Sequence, residues 1–528
     1  MTASSSLPSS VRDTPAADRR LLAIALLLVA ARFAFPLLLL NPAWEFHRDE
    51  LLYFAMGDHL EWFGMQFPPL IAVAARVGHA LFGDAVWAAR VPAALAGAAL
   101  LAVQLWLVRR MRGGAWSMVV LTLAGVASPV FLRPSVLMQP VIFDQLWATL
   151  AFASLVLAAV EDEPRWWMLV GVALGLGALT KFSVAFYALA VAVAALGVLP
   201  LRRQLATRWP WIAGAIALAL SIPSVAGQVA HGWPFLQQMQ SLRAAQLDRV
   251  TALDFLTEQP LMLGGAALLL PLGLIAALRR DLASHVAGVV LLAIVGSMLA
   301  LHGKGYYAAP GYPVLLTSGV VWLERRFARR PLASGARVAR LALPAIIVVA
   351  ALLLLPLGVP MLPPGAMARY AVATGVSAAV RTNRGDLLPL PQDYADMLGW
   401  RAMAEQASRA LHALTPGEQR TVLLVGSNYG EAGALAMYRD RFGLPYPVSV
   451  AGDFHAWGTY GRSGDVTLFV GGADALPTLE QLYGEVHEVS RIEEPRTVPE
   501  EQDVRIYLAR HPRARIDSVW STLGPRWN

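Results

Sequence analysis

Apolar runs of about twenty residues, separated by short polar or charged stretches, follow one another through the first two thirds of the chain and then stop. They cover 21–40, 85–108, 115–132, 141–160, 166–180, 182–199, 211–228, 261–278, 286–301, 308–322 and 341–362. Each reaches or approaches the length needed to cross a bilayer, so the pattern predicts a polytopic α-helical membrane protein with about eleven transmembrane helices. The first run is longer than a signal-peptide core and no small-residue cleavage site follows it, so it is expected to stay as a helix. Ahead of it, residues 1–20 are rich in Ser, Ala and Pro, carry Arg12, Arg19 and Arg20, and read as a disordered tail. Arg32 lies inside the first run, where a charge must either snorkel outward as an anchor or meet a partner such as a lipid phosphate. The anchor is the expectation.

After residue 362 the pattern changes: charges spread evenly and no spanning run recurs, so 363–528 reads as a soluble α/β domain. Within it 421–425, 448–450 and 465–470 read as strands, and 429–442 as a helix entered through GSNYGEAGAL. Gly426, Gly430 and Gly433 do not have the G-x-G-x-x-G spacing of a dinucleotide site, and the match is weak. Trp457 and Tyr460 suit either stacking on a sugar or packing of the domain.

Composition sharpens the membrane reading. Of 528 residues 56% are hydrophobic and 15% charged, and the mean hydropathy of +0.51 excludes an ordinary soluble protein. The net charge of +7 does not imply a nucleic-acid partner, because the arginines cluster in short loops between apolar runs. Alternate loops hold Arg109, Arg110 and Arg112, then Arg165, then Arg202, Arg203 and Arg208, then Arg279 and Arg280, then Arg325, Arg326, Arg329 and Arg330. The positive-inside rule assigns these loops and the amino terminus to the cytoplasm of an inner (plasma) membrane. The other loops then face outward, and an odd helix count exports the 363–528 domain. The absence of cysteine excludes a disulfide framework and Cys-ligated metal.

The outward loops carry the chemistry. The first, 41–84, begins NPAWEFHRDELLYFAMGDHLEWFGMQFPPL and sets Glu45, His47, Arg48, Asp49 and Glu50 within six positions. DELLYFAMGDHLEWFG reads as an amphipathic helix at the membrane surface, with Tyr53, Phe54, Trp62 and Phe63 at headgroup level and Asp49 near its amino end. There Asp49 could simply cap the helix and meet its dipole. The basic residues number 43, yet only Lys181 and Lys304 are lysines, both at predicted outward helix ends. A compact ammonium in place of a guanidinium fork suggests sites where the fork does not fit. Arg90 and the acid Asp144 fall in the same layer.

FHRDELLYFAMGDHL followed by QFPPL resembles the first extracytoplasmic loop of the polyprenyl-phosphate-sugar glycosyltransferases of the protein O-mannosyltransferase and aminoarabinose transferase type. PVIFDQLWATL, LVGVALGLGALTKF, the HGWP of the 231–260 loop, GKGYYAAPGYP and NYGEAGAL continue the resemblance in order along nearly the whole chain. The resemblance implies a GT-C fold, with 21–362 as a transmembrane catalytic domain that moves a sugar from a polyprenyl monophosphate carrier to an acceptor hydroxyl, with inversion. By the same resemblance Asp49 is the catalytic base, Glu50 its acidic neighbour and Asp144 a second acid of the site. Lys304, Tyr306 and Tyr307 lie in a loop that approaches the carrier phosphate, and Lys181 matches a helix-end lysine. Such a reaction needs a carboxylate to take the acceptor proton and cations to hold the departing phosphate, a part Lys304 and Arg90 could share, with His47 beside them. Gln66 and Phe67 precede Pro68-Pro69 where the aminoarabinose enzymes carry Glu-Lys, so the acceptor, whether glycan, lipid or protein, is not assigned. No cofactor is expected to be required. Asp49-Glu50 is not a D-x-D pair, and the need for a divalent metal stays open. The alternative function is a transporter or flippase of lipid-linked sugars, which many spans with intramembrane charges also describe.

Overall fold

The computed structural model describes residues 15–526 except 246, 330–333, 380–381 and 383–384. Residues 1–14 of the expected tail, with Arg12, and Arg330 of the last basic loop lie outside it. Every apolar run becomes a helix, because a chain without water partners must close its backbone hydrogen bonds locally. The helices are α1 (Pro15–Leu38), α2 (Arg48–Asp58), α3 (Leu70–Phe82), α4 (Val86–Arg110), α5 (Ala115–Val126), α6 (Pro140–Val160), α7 (Trp166–Ala178), α8 (Val184–Gly197), α9 (Trp209–Ala230), α10 (Ala252–Leu278), α11 (Leu282–Ala300), α12 (Tyr312–Arg329) and α13 (Gly335–Gly358). Among the described residues seven are long and apolar enough to cross a membrane, or eight if α5 and the bent continuation Pro129–Val136, turned by 86°, form one span. The rest of the expected eleven are accounted for by α7 and α8, which are shorter, and α12, which ends in a charged turn.

Two details of the first helix depart from expectation. It begins at Pro15, not after residue 20, and Asp18 in its first turn pairs with Arg109 at 2.8 Å. Arg32 is not an outward anchor: it is 5% exposed and donates from Nη2 to the Phe131 carbonyl and to Ser135 Oγ. Inward hydrogen bonds replace hydration, which a lipid-facing guanidinium could find only by snorkelling.

The loops sort to two ends of the bundle. At one end Arg110 meets Glu161, Arg325 reaches Asp281, and Glu324 accepts from the Gly114 amide. The basic loops therefore gather together, as their alternation predicts. Close helix approach is built with glycine: a Cβ at Gly171 of α7 would lie 2.4 Å from the Ala213 carbonyl oxygen of α9, and one at Gly175 would lie 2.6 Å from Leu220.

At the opposite end sits the carboxy-terminal region, whose four strands are β1 (Leu423–Gly426), β2 (Val466–Gly471), β3 (Tyr483–Glu493) and β4 (Asp503–Pro512), in the spatial order β1-β2-β4-β3. β1 and β2 are parallel, with Leu424 opposite Leu468, and the other pairs are antiparallel. Residues 448–450 make only a bridge from Val448 to Val425 instead of a strand. The expected helix 429–442 breaks into α15 (Tyr429–Met437) and a single turn from Arg439 to Phe442, preceded in the chain by α14 (Trp400–His412).

The apolar face of α2 in the first loop is covered by protein. Phe46, Leu51, Phe54 and Met56 share one buried cluster with Trp400, Met403, Leu424, Leu435, Leu468 and Ile506. Backbone bonds join the same two regions, from Glu45 N to Met397 O and from Arg48 N to Asp396 O, both 3.1 Å. Of the aromatics Tyr53, Phe54, Trp62 and Phe63, the last two are exposed, beyond the end of α2. The amphipathic pattern was real, but protein covers its apolar face.

Candidate active site

His47, not Asp49, caps α2. Its Nδ1 accepts from the Asp49 amide at 3.1 Å, and its own amide donates to Glu50 Oε2 at 2.8 Å, closing a reciprocal cap. That bond requires an unprotonated Nδ1 and places the ring proton on Nε2, which lies 3.8 Å from carboxylate oxygens of both Asp393 and Asp396. Burial by itself lowers the His47 pKa, but Asp393, Asp49 and Asp396 outweigh it and raise it to about 9. The cap and a second ring proton therefore compete, and the observed geometry is that of the cap. Burial raises Asp396 to about 6 against the pull of His47 and Arg48. Asp393 goes the other way: burial would raise it, and Arg133 and His47 bring it below the usual carboxylate range.

The adjacent acids Asp49 and Glu50 point into different worlds. Glu50 is fully buried, accepts the Met138 amide at 2.8 Å on Oε1, and is bridged by the Arg90 guanidinium at 3.3 Å. Arg90 is 1% exposed and also donates to the Glu45 carbonyl, which makes it the counter-ion of Glu50. Asp49 is only half-buried. Its Oδ2 accepts from Gln139 Nε2 at 2.9 Å and its Oδ1 from the Tyr429 hydroxyl at 3.1 Å, and among the described residues no cation pairs with it within 4 Å. Each carboxylate oxygen keeps a second lone pair.

Across from Asp49 lies an aromatic and cationic group. Tyr306 and Tyr307 meet edge to face with centroids 4.5 Å apart, and Lys181 Nζ lies 4.8 Å from the Tyr307 ring and 5.4 Å from that of Tyr306. Burial, then Tyr307, then the charge of Asp49 raise the Tyr306 hydroxyl pKa, which ties this group to the acid. Burial lowers the Lys304 pKa; Tyr307 raises it, Lys181 lowers it further, and nearby Glu258 raises it. Asp144 is held on the Lys181 side by the Tyr187 hydroxyl at 2.6 Å and Ser183 Oγ at 3.0 Å. Asp49, Lys181, Lys304, Tyr306 and Tyr307 thus share one end of the bundle, with Asp144 just inside it. Among the described residues no three His, Cys, Asp or Glu side chains gather closely enough to hold a metal ion.

Sequence reasoning missed Gln139 and Tyr429 as partners of Asp49. NYGEAGAL held the signal for Tyr429, since its glycines mark close contact and not a nucleotide: a Cβ at Gly430 would lie 2.8 Å from Arg48, and one at Gly433 would lie 2.8 Å from Leu51. Trp457 and Tyr460 close on His59, the first stacked at 3.9 Å and the second hydrogen-bonded at 2.8 Å.

Residues 66–226 match the family model described as dolichyl-phosphate-mannose-protein mannosyltransferase. No curated protein sequence matches the chain. Among solved structures, ArnT from Cupriavidus metallidurans bound to undecaprenyl phosphate superposes with a TM-score of 0.57 at 17% identity, covering 94% of this chain and 98% of that one. Its apo form gives the same score and identity over 93% and 97%. The apo oligosaccharyltransferase of Archaeoglobus fulgidus gives 0.49 at 12% identity, over 79% and 63%. In fold the chain is a GT-C-like membrane protein, and its segment 66–226 is similar to the dolichyl-phosphate-mannose-protein mannosyltransferase family.

Proposed function

We propose that this protein transfers a sugar from a polyprenyl-phosphate carrier to an acceptor hydroxyl at the end of the bundle bearing Asp49, with Asp49 as general base. The observation that carries the reading is the contrast between the two neighbouring acids: Glu50 is neutralised by Arg90, whereas Asp49 is partly open, ionically unpaired and held by neutral donors. In the reaction the acceptor oxygen bonds to the anomeric carbon as the bond from that carbon to the phosphate oxygen breaks. The hydroxyl proton passes to Asp49 and the electron pair stays on the lipid phosphate. Lys181 and Lys304 then take up that negative charge, beside the Tyr306–Tyr307 pair.

Arg90 then acts by positioning Glu50 and the start of α2 rather than by touching phosphate. Asp144, hydrogen-bonded by Tyr187 and Ser183, orients the Lys181 region. On this reading the Arg-rich end is cytoplasmic and the sheet domain extracytoplasmic. The family match and the likeness in fold to ArnT bound to undecaprenyl phosphate support a polyprenyl carrier.

The test is Asp49→Asn in membranes supplied with a polyprenyl-phosphate sugar. Transfer should fall at least a thousandfold at unchanged protein level. Residual transfer near the wild-type rate would end the assignment of the base, and movement of the lipid-linked sugar across the bilayer with no covalent product would favour a flippase.

A further inference from the structure

The sheet domain reaches into the site through one short motif. Asn428 caps α15, its Oδ1 accepting from the amides of Gly430 at 2.8 Å and Glu431 at 3.1 Å, while Glu431 returns to the Asn428 amide at 3.1 Å. Asn428 Nδ2 also donates to Glu501 Oε1 at 2.8 Å. Arg48, beside Asp49 in sequence, lays its guanidinium over the Tyr429 ring at 4.8 Å and reaches Glu500 at 3.0 Å and Glu501 at 3.9 Å. Gly430 leaves the space that Arg48 and Trp400 fill, and Gly433 leaves the space that Leu51 fills. Every residue of Asn428-Tyr429-Gly430-Glu431 therefore serves to fix where the Tyr429 hydroxyl points, and it points at Asp49 Oδ1, 3.1 Å away.

We propose that Tyr429 is a positioning residue for the reaction, so that the active site is assembled from two regions: the first loop supplies the base, and the sheet domain supplies the hydroxyl that aims it. This inference rests on Asp49 being the base. The phenol donates and the carboxylate accepts. Burial, and then the charge of Asp49, hold the Tyr429 hydroxyl in its protonated form, so it remains a donor throughout the working pH range. A donor to a carboxylate favours the charged form and orients its free lone pairs. The other titratable or charged groups facing Asp49 are His47 and Tyr53 on its own segment, Tyr306 on the tyrosine loop and Asp396 on the strand of chain before α14.

Tyr429→Phe deletes the hydroxyl and keeps the ring beneath Arg48. In the purified full-length enzyme with a polyprenyl-phosphate sugar donor, kcat should fall about tenfold or more with the donor KM little changed. An unaltered kcat would overturn the proposal, as would a loss carried by the donor KM instead of kcat, or a loss of activity fully explained by a lower melting temperature. Asp49→Asn in the same assay separates the two ideas. If Asp49→Asn is inactive and Tyr429→Phe is normal, only the positioning role fails; if Asp49→Asn is active, the base assignment itself fails.

Discussion

Asp49 and Glu50 show how one peptide bond can separate two environments. Side chains at adjacent helical positions are turned about 100° apart, so one faces the bundle and the other the site. Glu50 and Arg90 are both nearly inaccessible, and a buried pair broken from one side leaves an uncompensated charge. Glu50→Ala should therefore cost about 3–5 kcal/mol of stability and deplete the protein from membranes. Thermal unfolding in detergent checks this: Asp49→Asn should melt near the wild-type temperature and Glu50→Ala well below it. The conservative change Arg90→Lys should be nearly as damaging, since one ammonium cannot replace the two guanidinium donors on Glu50 and the one on the Glu45 carbonyl.

Among the elements, α7 and α9 are joined by glycine. Without a hydrophobic drive between helices in lipid, close backbone approach supplies the packing energy, and Gly171 meets the Ala213 backbone, which cannot step aside like a side chain. Gly171→Val should cost about 1–3 kcal/mol or more, read as faster thermal inactivation and increased proteolysis, while Gly197→Val on α8, where a Cβ would meet nothing within 4 Å, should change little. The helices themselves were legible because an apolar run near twenty residues has one structural solution in a bilayer. The partner of α2 was not legible. Period and composition reveal that a face is apolar, but lipid and a buried protein surface want the same residues, and the covering groups, Trp400, Leu424 and Leu435, lie more than 340 positions away. For the same reason Asp49 and the two lysines could be picked out from chemistry and resemblance, whereas Gln139 and Tyr429, neutral and distant, could not be.

For the molecule as a whole, acid–base balance in the sheet domain sets a pH dependence of stability. Asp453 is 4% exposed, its Oδ2 finds no hydrogen-bond partner among the described residues, and burial raises its pKa to about 7. The folded state therefore holds this proton more tightly than the unfolded chain does. Its stabilising contribution is complete below the unfolded value near ~4 and is lost as pH rises through about 7. The slope amounts to at most about 1.4 kcal/mol per pH unit. Asp453→Asn should flatten the fall in melting temperature between pH 5 and pH 8; parallel curves for the two proteins would show that the slope originates elsewhere. Asp396, raised to about 6, contributes in the same direction and remains in both proteins.

The shared core of α2 and the sheet domain also sets a timetable. A ribosome adding about 5–20 residues per second needs roughly 20–80 s after Leu51 to reach Leu435, its neighbour in the same buried cluster. During that interval the helices of the bundle can insert in order and α3 can join α2, but the part of α2 that the sheet domain covers has no partner. The packing of α2 is thus completed last, by the carboxy-terminal region, and a truncated product can fill the membrane with spans while this first-loop helix still lacks its cover.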